Sequence, residues 1–475
     1  MTRAAVINSR IHDWSSEGGP LIERTEPWTG EPLAAVREAS WEDVALACEI
    51  AMPAQREWVA LPLAERELAL RSIADELERR DDLAVLLARE VGKPIVEAEG
   101  EVARTVAIFR FYSSMLRVGI GEVLQGPVPS MRVFTRRRPL GVVGLITPWN
   151  FPLAIPAWKM APALAAGNGV VLKPATAGAG VAAALMECVE KAPIPDGLVA
   201  LVTGRGSVVA DALVGDPHIR GVSFTGSVEV GRAIRVACAE RGIRIQTELG
   251  GRNPAIVLAD ADLEAAAAAV AGGAFGYAGQ KCTATRRALI QDSVYDDVQA
   301  LLTAAAERMV PGDPLDRATV VGPLISRRAA DAVRASIREA VEAGAELIWG
   351  DPEGDGDVVV PTIVSRVPAD VDLGCDEVFG PVLVLEPVRD LDHAIASANA
   401  TPFGLSAAIH TASLASAARF EAEIEAGVVV VNRPTSGVEL HAPFGGMKAS
   451  GYGWREQGVV ALDFYSELQA IYEAM

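Results

Sequence analysis

The sequence predicts an α/β fold built on parallel sheets. Short apolar runs alternate with Ala-rich helical segments from about residue 141 to residue 431, and this pattern is typical of βαβ units. Half of the 475 residues are hydrophobic and 22% are charged, which is the composition of a globular chain. A chain of this length accommodates roughly two to four domains of about 100–200 residues each.

The N-terminal part, to about residue 118, is expected to be largely helical. Apolar residues recur at helical spacing over 41–58 and 64–90, and Gly92 with Pro94 ends the second segment. Over 131–136, apolar and charged residues alternate instead. This alternation predicts an exposed strand or ribbon, whose edge needs a partner.

Two series of strands and helices follow. The first has predicted strands at 142–146, 170–173, 199–202, 222–224 and 255–258, separated by predicted helices at 154–166, 177–190, 206–214, 228–241 and 262–271. The second has predicted strands at 288–290, 346–349, 382–385 and 428–431, with a closing strand at 464–472. Because parallel sheets bind ligands in the loops after their strands, the motifs in those loops are the candidates for function.

Charge and cysteine content exclude several classes of function. The net charge of −19 argues against a nucleic-acid surface and against a polybasic membrane contact, since both need concentrated Lys and Arg. Five cysteines without a CxxC pair predict neither a disulfide framework nor a zinc site, so no metal is expected. Residues 1–14 lack the pattern of a signal peptide. We therefore expect a soluble cytoplasmic protein.

One cysteine has the setting of a nucleophile. Cys282 follows Lys281 in a polar loop that also contains Gly279, and these neighbours favour an accessible thiolate. Three others lie in helical runs and are expected to be inert core residues: Cys48, Cys188 and Cys238. Cys375 lies in a loop, and its role stays open.

Two further polar residues are candidates for catalysis. Glu248 precedes Leu-Gly-Gly, and paired glycines indicate close backbone approach, so a carboxylate held there can act as a general base. Asn150 lies in Thr-Pro-Trp-Asn-Phe-Pro after a strand, and its amide can stabilise an oxyanion. Each motif alone is also compatible with a structural role, as a surface carboxylate or as a packed turn.

Three motifs favour a nucleotide. Lys173 ends a strand and suits a ribose or phosphate group. The segment 224–227 runs from a strand through Gly226 into a helix, whose N-terminus offers free N–H groups to phosphate. Glu377 and Phe379 can hold a ribose and a flat ring. The GxGxxG fingerprint is absent.

Taken together and in this order, the motifs resemble the aldehyde dehydrogenase superfamily. The matching stretches cover essentially the whole chain: PWNFP at 148–152, LKPA at 172–175, FTGS at 224–227, ELGG at 248–251, GQKC at 279–282, EVFGP at 377–381 and PFGGMKASG at 443–451. The stretches 279–285 and 431–438 are most similar to the α-ketoglutaric semialdehyde dehydrogenase branch.

The resemblance implies an open parallel-sheet cofactor domain, an α/β catalytic domain and a β oligomerisation ribbon. The implied cofactor domain takes 1–119 and 139–247, the catalytic domain takes 248–455, and the ribbon combines 120–138 with 456–475. It also implies a homodimer or homotetramer.

The resemblance further implies a covalent mechanism. The Cys282 thiolate attacks the aldehyde, and Asn150 with the Cys282 N–H holds the oxyanion. Hydride transfer to NAD or NADP leaves a thioester, which a water activated by Glu248 hydrolyses. A base at 248 favours water over coenzyme A as the acyl acceptor. The surroundings of Cys282 are expected to lower its pKa.

The resemblance implies a set of cofactor-binding residues: Ile146, Thr147, Trp149, Lys173, Thr176, Gly206, Phe224, Thr225, Gly226, Ser227, Leu249, Glu377 and Phe379. NAD-preferring members often have a glutamate where this chain has Thr176. Without a carboxylate there, a 2′-phosphate is not repelled, so NADP is expected to be accepted or preferred.

A second set is expected to line the aldehyde channel: Phe151, Trp158, Tyr277, Lys281, Thr283, Arg433 and Phe444. Arg433 or Arg287 is expected to meet a distal carboxylate, unless either is simply an exposed cation. The predicted substrate is a short aldehyde with a polar or carboxylate tail. The alternatives are an apolar or aromatic aldehyde, a thioesterase or esterase that uses Cys282 without a nicotinamide, and a non-catalytic scaffold of the same fold.

Overall fold

The computed structural model describes residues 6–8, 19–118 and 121–474. The expectation about a signal peptide falls on residues 1–14, which lie outside the described residues except for 6–8. The α-helices of the described chain are α1 (Trp41–Ala60), α2 (Leu63–Glu78), α3 (Leu83–Val91), α4 (Ile95–Met115), α5 (Ala154–Ala165), α6 (Ala179–Glu190), α7 (Asp211–Gly215), α8 (Val228–Arg241), α9 (Leu263–Phe275), α10 (Tyr295–Arg308), α11 (Arg327–Glu342), α12 (Asp372–Cys375), α13 (Leu391–Asn399), α14 (Leu414–Glu423) and α15 (Ala461–Phe464).

The strands of the same residues are β1 (Val6–Asn8), β2 (Leu21–Thr25), β3 (Pro32–Arg37), β4 (Val123–Leu124), β5 (Met131–Pro139), β6 (Val142–Thr147), β7 (Gly169–Pro174), β8 (Val199–Val202), β9 (Ile219–Thr225), β10 (Arg244–Glu248), β11 (Asn253–Val257), β12 (Thr285–Gln291), β13 (Glu346–Trp349), β14 (Thr362–Ser365), β15 (Val382–Val388), β16 (Phe403–Gly404), β17 (Ser406–His410), β18 (Val428–Val431), β19 (Met447–Lys448), β20 (Gly451–Tyr452) and β21 (Ser466–Ala474).

The first sheet has the order β1-β8-β7-β6-β9-β10-β20. Its five central strands run parallel, and β1 and β20 pair antiparallel at the two edges. Alternate residues of β6 enter different cores: Val143 and Leu145 pack with α2, α4, α5 and α6, whereas Val142 and Ile146 pack with α1, α7 and α8. The sheet is therefore covered on both faces, as parallel sheets require.

Four predicted strands of this sheet are confirmed as β6, β7, β8 and β9. The sequence analysis missed β10, whose residues Arg-Ile-Gln-Thr-Glu contain no apolar run. Four of its five residues are nevertheless buried, because β10 lies between β9 and β20. This strand ends at Glu248, so the missed element is the one that positions a predicted catalytic residue.

The second sheet has the order β13-β14-β15-β12-β11-β17-β18, with only β13 antiparallel to its neighbour among these strands. The predicted strands at 255–258, 288–290, 346–349, 382–385 and 428–431 are confirmed as parts of β11, β12, β13, β15 and β18. Two further strands, β14 and β17, were not predicted. Both are short and fully buried.

The N-terminal part is largely helical, as expected, whereas two of the predicted helical segments are irregular. The N-terminal part contains the antiparallel hairpin β2–β3 as well as helices. The segment 64–90 forms two helices, α2 and α3, and in the turn between them the guanidinium of Arg80 binds both carboxylate oxygens of Asp82 (2.6 and 2.7 Å). The expected helix at 206–214 begins with a π-helical turn, Gly206–Ala210, before α7.

A third sheet forms the expected ribbon. β5 pairs antiparallel with β21 from Met131–Ala474 to Pro139–Ser466, and β4 adds a short third strand. Leu468 and Tyr472 on β21 are 62% and 70% exposed. The ribbon therefore presents apolar side chains to its surroundings.

None of the helices in 19–118 or 121–474 combines the length and apolar character needed to cross a bilayer.

Candidate active site

Cys282 lies where two cavities meet. The first cavity, of about 260 Å³, is lined by Pro148, Trp149, Asn150, Ile155, Thr225, Gly226, Ser227, Leu249, Gly250, Cys282, Glu377 and Phe379. The second, of about 270 Å³, is lined by Glu97, Gly100, Glu101, Arg104, Phe151, Trp158, Lys281, Cys282, Thr283, Ser436, Gly437, Val438 and Phe444. Among these described lining residues only Cys282 belongs to both sets. Cys282 is half-buried and contributes to the wall of both cavities.

A left-handed turn presents this thiol. Tyr277, Ala278 and Gly279 have φ values of 53°, 51° and 67°, a region that costs non-glycine residues roughly 1–2 kcal/mol each. Gly279 is required by space as well, since a Cβ there would overlap the backbone oxygen of Gly380. Arg286 Nη2 donates to the Gly279 oxygen (2.8 Å) and fixes the turn.

The protein around Cys282 disfavours the thiolate. Burial and the nearby carboxylates of Glu377 and Glu248 raise the pKa of the thiol to about 12, and the N–H of Thr283 opposes them. The expectation that these surroundings lower the pKa is therefore wrong. The adjacent Lys281 does not reverse the shift, because its ammonium pairs with Glu97 (2.7 Å).

Asn150 is held from both sides. Its Nδ2 donates to the backbone oxygen of Gln280 (3.0 Å), and its own backbone oxygen accepts from Lys93 Nζ (2.8 Å). An amide nitrogen has two hydrogens, so one remains for the first cavity. Lys93 is fully buried and pairs with Glu101, which also accepts the N–H groups of residues 153 and 154 at the start of α5 (3.0 Å each).

Glu248 is buried at the end of β10 and lies outside the lining of both cavities. Its Oε2 accepts the N–H of Gly446 (2.9 Å). Burial and the charge of Glu456 raise the pKa of the Glu248 carboxyl well above its usual range, while the Gly446 N–H and Lys159 oppose the shift. The carboxylate is close enough to Cys282 to affect the pKa of that thiol.

The first cavity has the features of a dinucleotide site. Glu377 Oε1 and Thr225 Oγ1 are buried without a hydrogen-bond partner among the described residues, and such orphaned atoms suit ligand hydroxyls. A Cβ at residue 250 would overlap the Glu377 carboxylate and displace it, so Gly250 allows the carboxylate to keep this position. Burial raises the pKa of Glu377 to about 7.

The first cavity also has aromatic side chains that suit a flat ring and a helix start that suits a phosphate. Trp149 and Phe379 pack edge to face, with ring centroids 5.7 Å apart, at one side of the cavity. Ser227 caps α8, and the free N–H groups of that helix start beside Gly226 on the cavity wall. These residues fit a nicotinamide dinucleotide: Glu377 at a ribose and the start of α8 at the phosphates.

Six predicted cofactor residues do not line this cavity: Ile146, Thr147, Lys173, Thr176, Gly206 and Phe224. Five of them lie at or just after the C-terminal ends of β6, β7 and β9. Burial lowers the pKa of Lys173 to about 8, against the opposing charge of Glu38.

The sequence analysis missed Glu38 and Arg205 in this region. The Glu38 carboxylate accepts from the backbone N–H, Nε and Nη2 of Arg205 (2.9, 2.9 and 2.7 Å). Arg205 follows Gly204, whose oxygen accepts from the Thr176 hydroxyl (3.3 Å). No local motif predicts the pair, because its members are far apart in the chain.

The second cavity gathers five of the seven predicted substrate residues: Phe151, Trp158, Lys281, Thr283 and Phe444. Tyr277 is fully buried instead, where its ring lies 4.5 Å from Lys93 Nζ. Arg433 is exposed and does not line the cavity. Arg287 is buried on β12 and binds Glu386 (2.6 and 2.7 Å). Tyr277 and Arg433 thus lie outside the lining in which they were expected, and the guanidinium of Arg287 is bound by Glu386 rather than facing the cavity.

Arg104 is one of seven residues of this lining that were not predicted, the others being Glu97, Gly100, Glu101, Ser436, Gly437 and Val438. It projects from α4, together with Glu97, Gly100 and Glu101. Their spacing puts all four on one helical face, and this grouping of three charged residues with a glycine is the signal that was available.

The described residues contain no group of three or more His, Cys, Asp or Glu side chains arranged to hold a metal ion.

Comparison with known proteins agrees with this geometry. The chain is 42% identical over 473 residues to an alpha-ketoglutarate semialdehyde dehydrogenase of Haloferax volcanii, covering 97% of this chain and 98% of that protein. It is 40% identical over 469 residues to an alpha-ketoglutaric semialdehyde dehydrogenase of Bacillus subtilis, covering 97% and 96%. The crystal structure of an NAD-dependent aldehyde dehydrogenase from Sinorhizobium meliloti has a TM-score of 0.96 at 34% identity, over 100% of this chain and 95% of that one.

The model of the aldehyde dehydrogenase family matches residues 14–471, nearly the full length. This chain therefore belongs to the aldehyde dehydrogenase family and is an NAD(P)-dependent aldehyde dehydrogenase.

Proposed function

We propose that the enzyme oxidises a short semialdehyde, which carries a carboxylate at its other end, to the corresponding diacid. The observation that carries this proposal is the position of Cys282 at the junction of the two cavities, one suited to a dinucleotide and one to an aldehyde. The two relatives named as alpha-ketoglutarate or alpha-ketoglutaric semialdehyde dehydrogenases support this substrate class.

The first step is the attack of Cys282 on the aldehyde carbon. The thiol loses its proton to water, the S–C bond forms, and the carbonyl oxygen becomes an oxyanion. The remaining Asn150 amide hydrogen and the Cys282 N–H stabilise that charge. NAD or NADP, held by Glu377, Phe379 and the start of α8, would supply the hydride acceptor that converts the adduct on Cys282 to a thioester.

The second step is hydrolysis with Glu248 as the base. The ionised carboxylate takes a proton from a water that attacks the thioester carbon, and the Cys282 thiolate leaves. A raised pKa suits this task, since a general base works best when its pKa lies near the operating pH. The acyl acceptor is water, because a base is retained at this position.

The predicted cofactor residues are proposed to bind different parts of the dinucleotide. Glu377 and Phe379 hold the nicotinamide ribose, Gly226 and Ser227 hold the pyrophosphate, and Lys173 binds the adenosine ribose. Thr176 leaves room for a 2′-phosphate, so NADP is accepted or preferred. A kcat/KM for NAD that greatly exceeds the value for NADP would refute this preference.

The assembly is proposed to be a homodimer or homotetramer joined through the β4–β5–β21 ribbon, whose exposed Leu468 and Tyr472 support an interface. The five unpaired cysteines support a reducing cytoplasm as the location. The proposed boundaries are 1–119 and 139–247 for the cofactor domain, 248–455 for the catalytic domain, and 120–138 with 456–475 for the ribbon.

A panel of aldehydes tests the function, with NAD and with NADP. It includes α-ketoglutaric semialdehyde, succinic semialdehyde, butanal and an aromatic aldehyde. Reduced nicotinamide should form fastest with the semialdehydes, and Cys282→Ala should abolish turnover. The control Cys375→Ala changes an exposed cysteine outside both cavities and should retain turnover.

Other outcomes select the alternatives. Faster turnover of butanal or of the aromatic aldehyde would assign an apolar substrate. Absence of turnover and of any cofactor-induced rise in Tm would assign a non-catalytic scaffold.

A further inference from the structure

One face of α4 forms a charged wall of the second cavity. Glu97, Glu101 and Arg104 all line it, and Lys281 faces them from the loop of the nucleophile. The two carboxylates have lysine partners: Glu97 pairs with Lys281 (2.7 Å), and Glu101 pairs with the buried Lys93. Arg104 is thus the cation left over on this wall.

No carboxylate of the described residues lies within ion-pair distance of Arg104. Its two terminal nitrogens donate to neutral acceptors, the backbone oxygen of Val438 and Oε1 of Gln457 (2.8 Å). The exposed carboxylate of Glu439 opposes the lowering of the Arg104 pKa without forming a hydrogen bond to Arg104. Burial lowers the pKa of Arg104, as it does when a cation lacks a close anion.

The guanidinium of Arg104 has more N–H groups than the bonds to Val438 and Gln457 use. Arginine carries five N–H groups in a planar fork, and two hydrogen bonds leave three of them. The fork matches the two oxygens of a carboxylate. Val438 and Gln457 fix the orientation of the group while it faces a cavity that ends at the Cys282 thiol.

We propose that Arg104 binds the distal carboxylate of the substrate and so selects semialdehydes over uncharged aldehydes. This assignment rests on the proposed function. Phe151, Trp158 and Phe444 enclose the carbon chain between the two ends, and Lys281 contributes less because Glu97 neutralises it. The cations expected earlier are placed elsewhere, Arg433 at the surface and Arg287 in its pair with Glu386.

Substrate pairs of matched length test the assignment. Succinic semialdehyde and butanal differ at the carboxylate, so their kcat/KM ratio reports recognition of that group. Arg104→Gln should lower kcat/KM for succinic semialdehyde about 10- to 100-fold, the range expected for charged hydrogen bonds, and change the value for butanal less than about threefold. Butanoate should inhibit butanal oxidation by the wild-type enzyme and lose this effect in Arg104→Gln.

Two further variants serve as controls. Arg110→Gln removes an exposed arginine from the same helix, where it pairs with Glu78 and Asp75 outside the cavity, and should leave the substrate ratio unchanged. Arg433→Gln tests whether Arg433, rather than Arg104, binds the distal carboxylate. If Arg104→Gln does not fold, Arg104→Lys keeps the charge without the fork and should raise KM for succinic semialdehyde only.

The outcomes separate the two proposals. A wild-type enzyme that prefers butanal would refute the proposed function. If the wild-type enzyme prefers semialdehydes but the Arg104 variants lose activity on both substrates equally, or on neither, the role proposed for Arg104 is refuted. The proposed function is then unaffected. A loss of activity on succinic semialdehyde, but not on butanal, in Arg433→Gln would also refute the role proposed for Arg104.

Discussion

The side-chain nitrogen of Asn150 lies 3.0 Å from the backbone oxygen of Gln280, two residues before Cys282. The contact joins the loop after β6 of the first sheet to the loop before β12 of the second. It aligns the proposed oxyanion donor with the nucleophile, although more than a hundred residues separate them in sequence.

Replacing this amide should affect rate more than stability. Asn150→Ala should lower kcat about 10²- to 10³-fold, because one oxyanion donor is lost, and destabilise the fold by about 0.5–1.5 kcal/mol. Steady-state kinetics and denaturant unfolding measure the two effects. Asn168→Ala removes a buried amide that holds Ala163 and Tyr465, and an equal loss of kcat there would mean that Asn150 acts only through the fold.

Removing the proposed base should stop the second half of the reaction. Glu248→Gln should release about one reduced nicotinamide per subunit in a burst and then stall, with the acyl group retained on Cys282 and visible in the mass of the protein. Glu425→Gln, an exposed carboxylate paired with Lys448, should turn over normally. A mutant that lacks the burst would show that Glu248 is needed before the thioester forms.

The same carboxylate sets a pH dependence. Only ionised Glu248 accepts a proton, and its pKa is raised, so hydrolysis should be lost as the pH falls through a value above the usual carboxyl range. Pre-steady-state deacylation rates measured across pH report this value. The inflection should be absent in Glu248→Gln, and a wild-type inflection near the ordinary glutamate pKa would contradict the raised value.

Alkylation should report the state of the nucleophile. Because the pKa of Cys282 is about 12 in the protein alone, its reaction with iodoacetamide should accelerate with pH up to about pH 10 without a plateau. The positive nicotinamide ring of NADP should favour the thiolate and raise the rate at neutral pH. Mass spectrometry separates Cys282 from the exposed Cys375, whose rate should not respond to NADP.

Gly100 keeps part of the second cavity open. It lies within α4, and a Cβ there meets no heavy atom within 4 Å. Gly100→Ala should therefore stabilise the protein by about 0.4–1 kcal/mol through the unfolded chain, measured by denaturant unfolding. Gly100→Leu should lower kcat/KM for α-ketoglutaric semialdehyde more than for acetaldehyde, and an equal effect on both would place residue 100 outside the substrate path.

The order of the βαβ units and the location of the nucleophile were predictable from the sequence. Strands such as β6 and β7 are recognisable because burial on both faces demands continuous apolar runs. The loops after those strands carry the family motifs, and Cys282, Asn150 and Glu377 meet around the first cavity as the motifs led us to expect.

Tertiary structure decided what local pattern cannot encode. β10 is a strand because its backbone pairs with β9 and β20, although most of its residues are polar. The segment 64–90 divides into two helices at a turn that no local pattern marks. The pKa of Cys282 rises because distant segments bring burial and two carboxylates to the thiol.

The charge of the aldehyde cavity was decided in the same way. The sequence indicated Arg433 and Arg287 as candidate cations and did not single out Arg104. Only the packed chain pairs Arg287, exposes Arg433 and places Arg104 beside the cavity with no carboxylate partner among the described residues. Charge neutralisation depends on which groups come within a few ångströms of one another, and residues far apart in sequence fix those distances.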